Sequence, residues 1–106
     1  MNIFEVATGT KDEEILEILA ENSSGRIERI VSKGQTSSWY EQDEDEYVFV
    51  LEGEGKLELA DGEEVSLKKG EMLLLKAHQK HRVAYTSIEP PCIWLCVFFT
   101  NQPAEG

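Results

Sequence analysis

From residue 26 onward the chain is a succession of short apolar runs separated by glycine-bearing turns. Residues 26–32 are rich in isoleucine and valine, and Lys33-Gly34 interrupts them. Residues 35–41 follow, then an acidic stretch, then 47–51. Gly53-Glu54-Gly55 leads into 56–59, Asp61-Gly62 is a hairpin signal before 64–67, and Lys69-Gly70 precedes 72–76. Runs over 82–86 and, after Pro90-Pro91, over 93–99 complete the series. Short β-branched and aromatic runs with this punctuation read as strands joined by tight turns. Seven or eight of them at regular spacing predict an all-β sandwich or closed barrel, not a parallel sheet.

The first quarter of the chain reads differently. Residues 11–21 carry apolar side chains at 15, 16, 18 and 19, with acids in the first turn and Thr10 placed as an N-cap. That pattern predicts a short amphipathic helix. Asn22-Ser23-Ser24-Gly25 supplies the turn that ends it. Residues 101–106 predict a frayed tail. A length of 106 residues makes one domain, burying roughly 65% of the unfolded chain's surface.

The formal net charge is −11, so unmodified nucleic acid and anionic membrane surfaces are poor partners. No apolar run approaches the roughly 18–20 residues of a membrane span. The start, Met1-Asn2-Ile3-Phe4, has neither the basic nor the apolar region of a signal peptide. Cys92 and Cys96 lie on one predicted strand, where four residues span about 13 Å. A disulfide needs Cα atoms within about 7 Å, so the pair reads as two small apolar residues on one strand face. These features together predict a reducing, cytoplasmic setting. Five of the six residues 41–46 are acidic and read as a solvated turn. Trp39, Tyr40, Tyr47, Phe49, Trp94, Phe98 and Phe99 read mostly as core, because small barrels are filled by side chains.

Two segments carry a more specific pattern. Gly34 is followed, after five residues, by Tyr40-Glu41-Gln42; three more residues lead to Glu46 and six more to Gly53. Gly70 is followed, after five residues, by Lys76-Ala77-His78, and two more lead to His81. This spacing resembles the two motifs of the cupin family, small single-domain proteins of the conserved-barrel type. The first motif there is glycine, His-x-His, glutamate and glycine; the second is glycine, Pro-x-Gly, histidine and asparagine. The resemblance implies an all-β double-stranded β-helix, a jelly-roll barrel, spanning about 26–100 within a single domain over 1–106. It also implies a site in the barrel mouth, and pairing of two copies into a homodimer.

In this register Glu46 and His81 are retained, while Tyr40 and Gln42 stand where the family has its first two histidines. A four-residue spacing to Glu46 would place Trp39 and Glu41 there instead. The proline and glycine of the second motif are absent, and Tyr85 replaces its asparagine. A divalent ion (Mn, Fe, Ni, Cu or Zn) needs three or four converging imidazole and carboxylate ligands. Glu46 and His81 supply two, with Gln42 as a weaker third and His78 as a further candidate. The same residues without metal make a polar pocket, in which Tyr40, Gln42, Glu46 and His81 orient a small polar ligand beside the aromatic wall of Trp39. Three functions are compatible with this set: small-ligand binding, a metal-dependent dioxygenase or isomerase, and a non-catalytic regulatory or interaction module.

Overall fold

A computed structural model describes residues 1–6 and 13–100. It contains eight strands: β1 (Ile15–Asn22), β2 (Gly25–Ser32), β3 (Glu44–Glu52), β4 (Glu54–Leu59), β5 (Glu64–Lys68), β6 (Met72–Leu75), β7 (His81–Thr86) and β8 (Cys92–Thr100). They form a five-stranded sheet in the order β1-β2-β8-β3-β6 and a three-stranded sheet in the order β5-β4-β7. Every pairing is antiparallel. The predicted all-β jelly-roll barrel is the observed architecture.

The core lies between the sheets, and period-two alternation decides which side chains enter it. On β8, Cys92, Trp94, Cys96 and Phe98 face inward and are buried. On β3, Glu46, Val48 and Val50 do the same. Leu57, Leu67 and Leu75 close the core from β4, β5 and β6. Gly55 allows the two sheets to approach closely. A Cβ at Gly55 would fall 2.3 Å from the Trp94 ring, so only glycine fits against that indole. Cys92 and Cys96 are free thiols on the inner face, as their spacing required. Of the seven aromatics read as core, Trp94 and Phe98 are buried and Tyr47 and Phe49 partly so, whereas Trp39, Tyr40 and Phe99 are exposed.

Three expectations need correction. No helix forms over 13–21; Thr10, Lys11 and Asp12 lie outside the described residues. Instead β1 runs antiparallel to β2, with Leu16 opposite Ile30 and Ile18 opposite Glu28. The residues read as a helix stop make a hairpin. The Asn22 side-chain oxygen accepts from the amides of Ser24 (2.8 Å) and Gly25 (3.1 Å), folding β1 back onto β2. Ladder pairing with β2 outweighs the local helical pattern. Second, residues 35–41 make no strand beyond a single bridge from Tyr40 to His81. Ser37 substitutes its hydroxyl for a backbone acceptor, taking the Val83 amide at 2.8 Å, so the ladder beside β7 is discontinuous. Third, the acidic stretch is not all turn: β3 already begins at Glu44.

On the outer face of the five-stranded sheet, Arg29 is buried and ion-paired with Glu17 at 2.7 Å. It also donates to the carbonyl of Ile3 at 3.1 Å, anchoring the first residues of the chain over that face. No helix among the described residues is long and apolar enough to cross a membrane. The predicted tail, 101–106, lies outside the described residues.

Candidate functional site

The strand register stacks the inward side chains of the five-stranded sheet in rows. Arg26 on β2 stands opposite Phe98 on β8, which stands opposite Glu46 on β3. The next row is Glu28, Cys96 and Val48, and the one after it is Ile30, Trp94 and Val50. The three-stranded sheet contributes His81, Val83 and Leu57 from the other side. Residues 35–43 carry Ser37, Tyr40 and Gln42 along the rim beside β7. Together these enclose a cavity of about 250 Å³.

Glu46 is the centre of its polar end, only 6% exposed. The Gln42 amide donates to its Oε1 at 2.9 Å. Its Oε1 lies 3.7 Å from His81 Nε2, and the Cys96 thiol hydrogen-bonds to the same carboxylate. Burial pushes the Glu46 carboxyl above the usual carboxylate range. The Cys96 and Gln42 hydrogen bonds and the charge of His81 oppose that rise, and Glu28 adds to it. The Cys96 thiol is pushed well up by burial, then by the neighbouring Glu46 charge, and so remains protonated. Burial, helped by Glu54, pushes the Cys92 thiol up to about 12.

His81 is 5% exposed. Its Nδ1 lies 3.0 Å from the Gln79 carbonyl. A carbonyl only accepts, so Nδ1 carries a proton and Nε2 is the nitrogen turned toward Glu46. Tyr40 stands at the mouth, half exposed, its ring centroid 5.7 Å from the His81 ring. Its backbone is fixed by a reciprocal pair of hydrogen bonds with His81, 2.7 and 3.1 Å. Chemically the cluster sets a carboxyl and an imidazole close together, with a phenol and an amide beside them.

Four of the residues expected in the site, Tyr40, Gln42, Glu46 and His81, therefore line one cavity. Trp39 does not. It is 48% exposed and lies 5.6 Å from the guanidinium of Arg82. Arg82 follows His81 on β7, and alternation turns it to the opposite side of the sheet. His78 is also elsewhere. It is an exposed turn residue with φ +66°, 3.7 Å from Asp43. Its amide donates to the Gln42 carbonyl at 2.6 Å, so it is the His78 backbone that supports the site.

Arg26, Glu28 and Cys96 line the cavity without having been singled out. The charged residues 26 and 28 alternate with isoleucine, which marks one strand face, but nothing in the sequence says which face is inner. Cys96 was read as packing alone.

The donor set does not fit a resident divalent metal. Among the described residues no group of three or more His, Cys, Asp or Glu side chains is placed to hold one. Of the residues expected as ligands, Glu46 and His81 alone converge. Gln42 turns its amide N–H to Glu46, Cys96 keeps its proton, and His78 faces solvent.

Comparison with known proteins agrees with this architecture. The family described as Cupin domain matches residues 27–98. An L-ectoine synthase of Nocardia farcinica is 37% identical over 81 residues, which are 74% of this chain. The chain spans 57% of that protein's length. A crystal structure of a provisionally assigned mannose-6-phosphate isomerase from Ralstonia eutropha superposes with a TM-score of 0.83 at 38% identity. That alignment covers 93% of this chain and 95% of the other. A cupin superfamily protein from Desulfitobacterium hafniense gives a TM-score of 0.78 at 19% identity, over 90% and 84% of the two chains. This last likeness speaks for the fold alone.

Proposed function

This chain belongs to the cupin family, and on that premise we propose that it binds a small polar organic ligand directly, through Tyr40, Gln42, Glu46 and His81. The observation that carries the reading is the burial of Glu46 and His81, from opposite sheets, against one cavity. Desolvating a carboxylate and an imidazole is costly, and an apolar pair of similar size would serve stability better. Polar groups held in this way against open space suit orientation of a ligand. The two-donor convergence at Glu46 and His81 supports ligand contact without an intervening metal ion.

The test is thermal unfolding of the wild-type chain and of His81→Ala with a panel of small amino, hydroxy and carbonyl compounds. A compound at about a hundredfold excess over its Kd should stabilise the wild type by about 2.7 kcal/mol. It should leave the His81→Ala chain unstabilised. Salts of Mn, Fe, Ni, Cu and Zn should leave the wild-type Tm unchanged. If no compound stabilises the wild type, or if all stabilise both chains equally, the reading fails.

A catalytic form of the same reading is favoured by the 3.7 Å approach of His81 Nε2 to Glu46 Oε1, which lets one proton pass between substrate and pair. The likeness to an L-ectoine synthase and to a provisionally assigned isomerase supports it. Its mark is a Glu46→Gln chain whose kcat at saturating compound is lost, a defect beyond whatever weakening of binding the same change brings.

A further inference from the structure

Arg26 is the one arginine or lysine among the described residues that line the cavity. Its guanidinium is held by two carboxylates. Nε donates to Glu28 at 2.7 Å, one terminal nitrogen donates to Glu44, and the group stacks 3.9 Å over the Phe98 ring. Two carboxylates on one guanidinium leave a net negative charge at that wall. Glu14 and Glu46 add carboxyl groups to the lining, and the chain as a whole carries −11. An anionic ligand would therefore meet a carboxyl-rich lining whose one guanidinium is already shared between two carboxylates.

A cation meets the reverse. Glu28 and Glu46 face the cavity from β2 and β3, on either side of β8. The aromatic rings of Tyr40 and Trp94 line the same space and attract positive charge through their faces. Ile30, Leu57 and Val83 supply an apolar wall on which a hydrocarbon portion loses its contact with water. The volume, about 250 Å³, lies just below the usual range of about 300–1,000 Å³ for ligand pockets, so the compound is small.

Resting on the ligand-binding reading above, we infer that the cavity selects a small organic ammonium compound. Its charge sits between Glu28 and Glu46, its short hydrocarbon body lies against Trp94, and phosphate esters and carboxylates of like size are rejected.

The experiment is a backbone-amide NMR titration of the full chain in about 0.15 M salt, which screens attraction to the acidic surface. The probes are n-butylammonium chloride, 1-butanol, sodium butyrate and inorganic phosphate. Butylammonium should shift the amides of Glu28, Cys96 and Phe98, with a Kd about tenfold below that of butanol. Butyrate and phosphate should leave these amides unmoved. In Glu28→Gln, butylammonium should weaken about tenfold while butanol is unaffected. If butanol, butyrate or phosphate binds as well as butylammonium, the cation inference is overturned and ligand binding in the cavity stands. If no probe moves the cavity amides, or butylammonium moves only amides outside it, the inference is also overturned. The ligand-binding reading is judged separately, by the wider compound panel in thermal unfolding.

Discussion

The two ends of the barrel interior are built on opposite principles. At one end Trp94 packs against the backbone of Gly55, among Val50, Leu57 and Cys92, with no charge among these residues. At the other end Arg26, Glu28, Glu46, His81 and Cys96 crowd around open space. Strands β8 and β3 supply both ends, within five residues of one another along β8. The apolar end holds the sheets together, since a fully buried aromatic of this size removes about 150–250 Å² from water, worth about 4–6 kcal/mol. The polar end costs desolvation energy that its hydrogen bonds only partly offset. Stability and recognition are thus separated along the barrel axis, and substitutions at the two ends should differ in kind.

The largest effect is expected at the apolar end. Trp94→Ala should lower unfolding free energy by about 3–5 kcal/mol in urea denaturation, through lost contacts and a residual void. A loss under about 1 kcal/mol would mean that this end is not what holds the sheets.

Glu46→Gln should act mainly through pH. Burial raises the Glu46 carboxyl, so between the ordinary value of 4.5 and its raised value the folded chain keeps a proton that the unfolded chain has released. Wild-type stability contributed by this group therefore falls as pH rises through that interval. Arg26 and Glu28 from β2, Cys96 from β8, His81 from β7, and Tyr40 and Gln42 from the rim surround the carboxyl in both chains. Groups that do not interact with the carboxyl contribute alike in both chains and cancel in the difference. The Tm of Glu46→Gln minus that of the wild type should climb with pH; a flat difference would show that burial does not perturb the carboxyl.

The smallest effect is expected three residues from His81. His78→Asn keeps a residue tolerant of φ +66° and leaves the backbone bond to Gln42 in place. Its stability should stay within about 0.5 kcal/mol of the wild type, and butylammonium binding should be unchanged. Weakened binding would extend the polar end into the β6–β7 turn.

The contrast between His78 and His81 also shows what could be read in advance. Gly34, Gly53 and Gly70 all take positive φ, and Glu46 and His81 sit at strand positions measured from them. Spacing therefore carried the site's retained pair. Strands β2 to β8 were legible because alternation and Asp-Gly or Lys-Gly turns agree with each other. β1 was not, because Ile15, Leu16, Ile18 and Leu19 satisfy a helical stripe as well as a half-buried strand edge. Trp39 was misplaced for a different reason. It directly precedes Tyr40, and one step along extended backbone reverses the side chain's direction. Arg26 and Glu28 required the identity of the inner face, which is settled by long-range pairing with β8 and by no local signal.

Gly55 touches nothing that enters the cavity, yet it sets how far Trp94 recedes from it. Even a methyl group there would need the space that the indole occupies, and the ring would have to advance toward whatever the cavity holds. The reach available to a guest is thus governed by a missing side chain behind the wall. Descendants of this barrel can shorten or lengthen the molecules they accept while every residue in contact with the guest stays the same.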